Sequence, residues 1–125
     1  MAVPRAEAPA VRRVMVATDR SATADRAVRW AANLAESYGA ELLLLQILVP
    51  NADSPDGVPE MLQHHASVEL QRFAEEHAGT RGRSLVVVDS DPAQAVIDAV
   101  ESQQVDVIVV GNVGMAGRKE FLLGN

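Results

Sequence analysis

Hydrophobic and polar positions follow two rhythms along this chain, and the switches between them mark out four apolar runs joined by three helical segments. Val11 to Thr18 (VRRVMVAT) has a β-branched apolar centre and ends in the polar step Asp19-Arg20-Ser21, the pattern of a strand delivered to a loop. From Ala22 the period lengthens. Ala24, Ala27, Val28, Ala31, Leu34, Ala35 and Tyr38 recur at three- and four-residue steps and so share one helix face. Ser21 suits the N-cap, Asp25 complements the helix dipole in the first turn, and Gly39 suits the left-handed position that closes the helix. Glu41 to Val49 (ELLLLQILV) is almost unbroken in its apolarity, as a strand is when helices cover both faces of its sheet. Pro50, Pro55 and Pro59 then exclude regular structure until helical spacing returns over Glu60 to Ala78, through Leu62, Ala66, Leu70, Phe73 and Ala74. Gly79 and Gly82 are expected to end that helix. Ser84 to Asp89 (SLVVVD) predicts a third strand, and Asp91-Pro92 the N-cap and first residue of a third helix that turns Val96, Ile97 and Val100 inward. Val105 to Val110 predicts a fourth strand.

The resulting order, β-α-β-α-β-α-β, calls for right-handed crossovers and an α/β fold with an open parallel sheet. Ligands bind such sheets beyond the carboxyl ends of the strands, where the strand order reverses, so the ends of the first and fourth strands are the places to look. Composition agrees: 125 residues suffice for one core, and 48% hydrophobic with 22% charged residues is globular. One Trp, one Tyr and two Phe mean that the core must be aliphatic. A formal charge of −6 repels phosphodiester backbones, which disfavours a nucleic-acid partner. The lack of cysteine excludes a disulfide framework, a thiolate metal site and a cysteine nucleophile together. Residues 1–10 hold two prolines and no apolar stretch suited to export or to a membrane. They read as a flexible leader to a domain over 11–125, with the cytoplasm as the expected compartment.

Four of the eight glycines, Gly111, Gly114, Gly117 and Gly124, follow the fourth apolar run. Without Cβ atoms, Gly111, Gly114 and Gly117 can turn successive N–H groups toward an anion, with Arg118 and Lys119 adding charge. The spacing matches neither G-x-G-x-x-G nor the P-loop, and an ordinary glycine turn accounts for it equally well. Asp19 can accept hydrogen bonds from a ribose or a base, or can simply be a solvated residue beside an N-cap. His64, His65 and His77 have no metal-ligand spacing, and Ser21 lacks the setting of a nucleophile.

Three segments together resemble the universal stress protein family. "VMVATDRSATADRAVRWAANLA" is similar to its first strand and helix, with an Asp-x-Ser step between them, and "AELLLLQILVP" to its second strand. "DVIVVGNVGMAGRKEFLLGN" resembles its nucleotide motif G-x2-G-x9-G-[ST], counted here on Gly111, Gly114 and Gly124. The resemblance implies a Rossmann-like sheet of the adenine nucleotide alpha hydrolase type, with strand order 3-2-1-4 and the family's fifth strand missing. It implies Asp19 and the Ile47 backbone at adenine and ribose, and Gly111, Gly114 and Gly124 at the phosphates, with Gly117, Arg118 and Asn125 beside them. Asn125 replaces the closing Ser or Thr of the motif, and its amide can still donate to phosphate. The implied function is a regulatory or stress-response sensor that binds ATP or another adenine nucleotide, with Mg²⁺ held through the phosphates only and at most slow hydrolysis. The alternatives are a cyclic AMP binder and an interaction or dimerisation module of a larger protein that binds no nucleotide. The family continues past the motif into a helix and a dimer-forming strand. The chain is therefore expected to be incomplete at its C-terminus, and a second copy or a partner segment is expected along the fourth strand.

Overall fold

The computed structural model describes residues 10–53 and 57–111. Residues 1–9 of the expected leader lie outside the described residues, as do Gly114, Gly117, Arg118, Gly124 and Asn125. The elements run β1 (Arg13–Ala17), α1 (Ala22–Tyr38), β2 (Glu41–Leu48), α2 (Glu60–Ala78), a 3₁₀ turn (Gly79–Arg81), β3 (Gly82–Val88), α3 (Pro92–Ser102) and β4 (Val107–Val109). All strand pairs are parallel, in the order β3-β2-β1-β4. This is the expected α/β sheet.

Local chemistry accounts for most of the boundaries. The Ser21 hydroxyl accepts the Ala24 N–H at 3.2 Å and starts α1. Gly39, at φ 65°, ends it by sending its own N–H back to the last carbonyls. Asp91 caps α3 by accepting from the Gln94 N–H, with Pro92 in the first turn as expected. Packing then separates the two faces of the sheet. Val14, Val16, Leu42 and Leu44 bury one face under Val28, Ala31 and Ala35 of α1 and Leu70 and Ala74 of α2. Met15, Leu43 and Leu45 bury the other under Ala99 of α3. Each fully buried Leu contributes about 1.5–3 kcal/mol relative to exposure, so the four buried leucines of β2, Leu42 to Leu45, make it the thermodynamic centre of the fold.

The structure corrects the sequence reading at several points. Gly82 does not terminate α2: it opens β3, two residues ahead of the expected start. Ile97, expected to face inward, is 53% exposed, and the inner face of α3 is carried by Ala95 and Ala99 with Val96 and Val100 beside them. Tyr38 and Leu62 also lie on exposed helix surface. β4 is shorter than its apolar run because Val105 donates its N–H to Val100 O, closing α3, and only from Asp106 does the backbone bond to β1.

Asp106 stitches the amino ends of β1 and β4 together. Its carboxylate accepts the Arg12 N–H at 2.8 Å and the Arg13 N–H at 3.0 Å. These two bonds, Arg12 first, hold its pKa below the ordinary carboxylate value. A lowered folded pKa stabilises the fold above the unfolded value and loses that effect as pH falls through the folded value. Asp106→Ala is therefore expected to lower the thermal midpoint at neutral pH. The gap from wild type should close as the solution is acidified below about pH 4. Thermal melts across that range check it, and a gap independent of pH would exclude the ionic origin.

Candidate functional site

The strand order places a crevice at one end of the sheet. From β1 the chain passes through α1 to β2 on one side, and from β3 it passes through α3 to β4 on the other. The connections therefore diverge beyond the carboxyl ends of β1 and β4. A pocket of about 270 Å³ lies there, bounded by Ala17, Thr18, Asp19, Ile47, Val96, Val110 and Gly111 among others. A second cleft of about 680 Å³ adjoins it and shares Asp19, Ile47 and Val49, extending past Asn51 and Val58 to His65 on α2. Of the expected site residues, Asp19, Ile47 and Gly111 are thus brought together. The remainder fall outside the described residues.

The turn between β1 and α1 is held by successive side-chain bonds to the backbone. Buried Thr18 donates its N–H to Leu45 O at 2.9 Å, while its Oγ1 accepts the Arg20 N–H at 2.9 Å. Asp19 Oδ1 accepts the Ser21 N–H at 2.9 Å. Arg20 between them adopts φ 68°, a left-handed conformation unusual for a residue with a side chain. The Ser21 side chain, and then its backbone N–H, hold the Asp19 carboxyl below the usual carboxylate range. Asp19 is consequently an anion at neutral pH. A carboxylate offers about four lone-pair directions, so acceptor capacity remains toward the pocket.

Ile47 contributes its main chain. In a parallel ladder, alternate residues direct both N–H and C=O to the same neighbouring strand. Leu45 O bonds β1 through Thr18, and Leu48 O bonds the Asp89 N–H beyond β3, so Ile47 directs its peptide groups toward the β1 side. The β1 ladder ends at the Ala17–Leu45 pair. The next rung would be the Arg20 N–H on Ile47 O, and that N–H is bound to the Thr18 hydroxyl instead. One donor and one acceptor therefore stand side by side, open to the pocket, close to an ionised carboxylate and over an apolar floor that includes Val96. The sequence reading missed Thr18 and Arg20. Their signal was the run Thr18-Asp19-Arg20-Ser21, rich in side chains that bond nearby backbone.

Comparisons with known proteins agree with this architecture. The sequence model of the Universal stress protein family matches residues 10–125. A universal stress protein of Mycolicibacterium smegmatis is 32% identical over 124 residues, an alignment covering 90% of this chain and 42% of that protein, so the chain spans under half of that relative's length. Universal stress protein YxiE of Bacillus subtilis is 26% identical over 128 residues, with 90% of this chain and 86% of that protein covered. Among solved structures, a universal stress protein in complex with cAMP superposes with a TM-score of 0.68 at 26% identity, covering 94% of this chain and 87% of the other. A universal stress protein from Archaeoglobus fulgidus in complex with dAMP gives 0.65 at 21% identity, over 92% and 93% of the two chains, and supports the shared fold. With the 3-2-1-4 parallel sheet and the family match running from residue 10 to residue 125, the chain belongs to the universal stress protein family.

Proposed function

We propose that this domain, over residues 11–125, binds an adenine nucleotide, with ATP as the leading ligand, at the carboxyl ends of β1 and β4. It acts as a nucleotide-responsive regulator in stress responses rather than as a fast enzyme. The observation that carries the reading is the open Ile47 peptide edge beside the Asp19 carboxylate. Adenine presents an amino donor next to a ring-nitrogen acceptor, the complement of one residue's C=O and N–H. Ribose hydroxyls are donors suited to Asp19. Gly111 begins the segment through which the phosphates would be held, continuing through Gly114, Gly117, Arg118, Gly124 and Asn125, with Mg²⁺ bound through the phosphates alone. The proposal includes a cytoplasmic setting and self-association, or capture of a partner segment, along β4, where Ile108 is 37% exposed.

A second reading, cyclic AMP as the ligand, is favoured by the relative that was solved with cAMP at 26% identity. Calorimetric titration with ATP, ADP, AMP, cyclic AMP and adenosine separates the possibilities. Saturable one-to-one binding is expected, tightest for ATP, whereas a clear preference for cyclic AMP would move the assignment to the second reading. Absence of saturable heat with every one of these ligands, in a protein that melts cooperatively, would leave the interaction module.

A further inference from the structure

Arg20 is adjacent to the anionic residue of the site, yet its side chain leads elsewhere. Among the described residues neither cleft is bounded by it. Its guanidinium carbon lies 3.9 Å from the centre of the Phe73 ring on α2, and its Nε donates to Asp25 Oδ1 on α1 at 3.3 Å. The Phe73 ring is itself fixed. It packs against the core and meets the His77 ring edge-on at 4.5 Å, and His77 Nδ1 lies 3.1 Å from Phe73 O. One side chain therefore ties the β1–α1 turn to both helices that cover that face of the sheet.

We propose that Arg20 is a positioning residue that keeps the nucleotide edge of Ile47 open without touching the ligand. The inference rests on the adenine-nucleotide reading above. The Arg20 N–H bonds Thr18 Oγ1, and the chain then leaves this turn for α1 through the left-handed conformation of Arg20, φ 68°. Were the whole turn to relax so that β1 ran on through Asp19, the same N–H would continue the ladder to Ile47 O, and the protein would occupy its own base-reading acceptor. A residue with a Cβ resists the left-handed state. Stacking on Phe73 and the bond to Asp25 offset that resistance, and Asp19 is carried in the same turn.

The geometry predicts an order of effects that a phosphate contact would not produce. Arg20→Ala loses the clamp and retains the backbone resistance, so its affinity should fall about five- to tenfold. Arg20→Gly loses the clamp but adopts the left-handed state freely, so its loss should be smaller, about two- to fivefold. ATP and adenosine should lose affinity in the same proportion. Phe73→Leu, which leaves the Arg20 Cβ and its bond to Asp25 in place, should lose no more than Arg20→Ala, and it should add nothing to Arg20→Gly, while Phe73→Tyr, which keeps the ring face, should bind as wild type. Loss of ATP affinity with adenosine unaffected would instead make Arg20 a direct phosphate ligand and overturn the proposal. Equal loss in the Ala and Gly variants, or none in either, would overturn it too. Amide exchange at Ser21, measured without nucleotide, tests the clamp independently of the functional reading. If the wild type binds no adenine compound, that reading falls. Faster exchange in Arg20→Ala than in Arg20→Gly or wild type still supports the lock, and unchanged exchange refutes it.

Discussion

Asp19→Ala is expected to weaken ATP binding about ten- to a hundredfold while leaving the domain folded. The estimate follows from removing a hydrogen bond to a charged group, worth about 1.5–3 kcal/mol. The fold should survive because the carboxylate is exposed, and its structural bond to the Ser21 N–H is replaceable by water. The loss should be larger for ATP than for cyclic AMP. ATP presents two free ribose hydroxyls, whereas the cyclic phosphate consumes one. The advantage of wild type over Asp19→Ala, in which the titration of the nucleotide's own phosphates cancels, should persist down to about pH 5 and shrink as pH falls through the lowered pKa of Asp19, because protonation removes the anionic acceptor. Fluorescent-nucleotide titrations of wild type and variant across that range measure both effects. Equal affinity in the two proteins would remove Asp19 from the site.

Gly82→Ala is expected to destabilise the domain by about 3 kcal/mol, the upper part of the range for overpacking. Gly82 has an ordinary extended backbone, φ −85° and ψ 132°, so conformational freedom is not what the position requires. What it requires is room. An added Cβ would sit 2.4 Å from Ala74 O and 2.7 Å from Ala74 C, both backbone atoms of α2 that no rotamer change can move aside. Relief would need α2 to lift from the sheet, withdrawing Leu70 and Ala74 from the core and straining the Gln71 side chain, which bonds Gly82 O and the Ser84 hydroxyl. Gly39→Ala is the control. That position has φ 65° with nothing within 4 Å of an added Cβ, so the change should cost only the left-handed strain, about 1–2 kcal/mol. Chemical denaturation of both variants checks the difference. A Gly82→Ala protein as stable as wild type would show that α2 can move without cost.

What the sequence determined by itself was local. The limits of α1, the start of α3, the start and end of α2 and the presence of four strands followed from caps, period and proline placement, because each depends on residues within a turn or two of one another. The strand order followed from the alternation of those elements and from the family resemblance, and the structure has it. Asp19 was legible as a candidate, although its residue type alone also fitted a solvated loop. Other features needed the tertiary structure because their partners are distant in the chain. Ile97 is exposed because α3 lays its alanines against the sheet, and β4 is short because Val105 serves the end of α3. Gly82 is a packing glycine because α2 crosses directly over it. Ile47 offers its peptide groups only because β1 stops two residues short of it in register and Arg20 turns back over Phe73. Sequence period fixes which face a side chain takes, but the length of a neighbouring strand decides which backbone groups are left to bind a ligand.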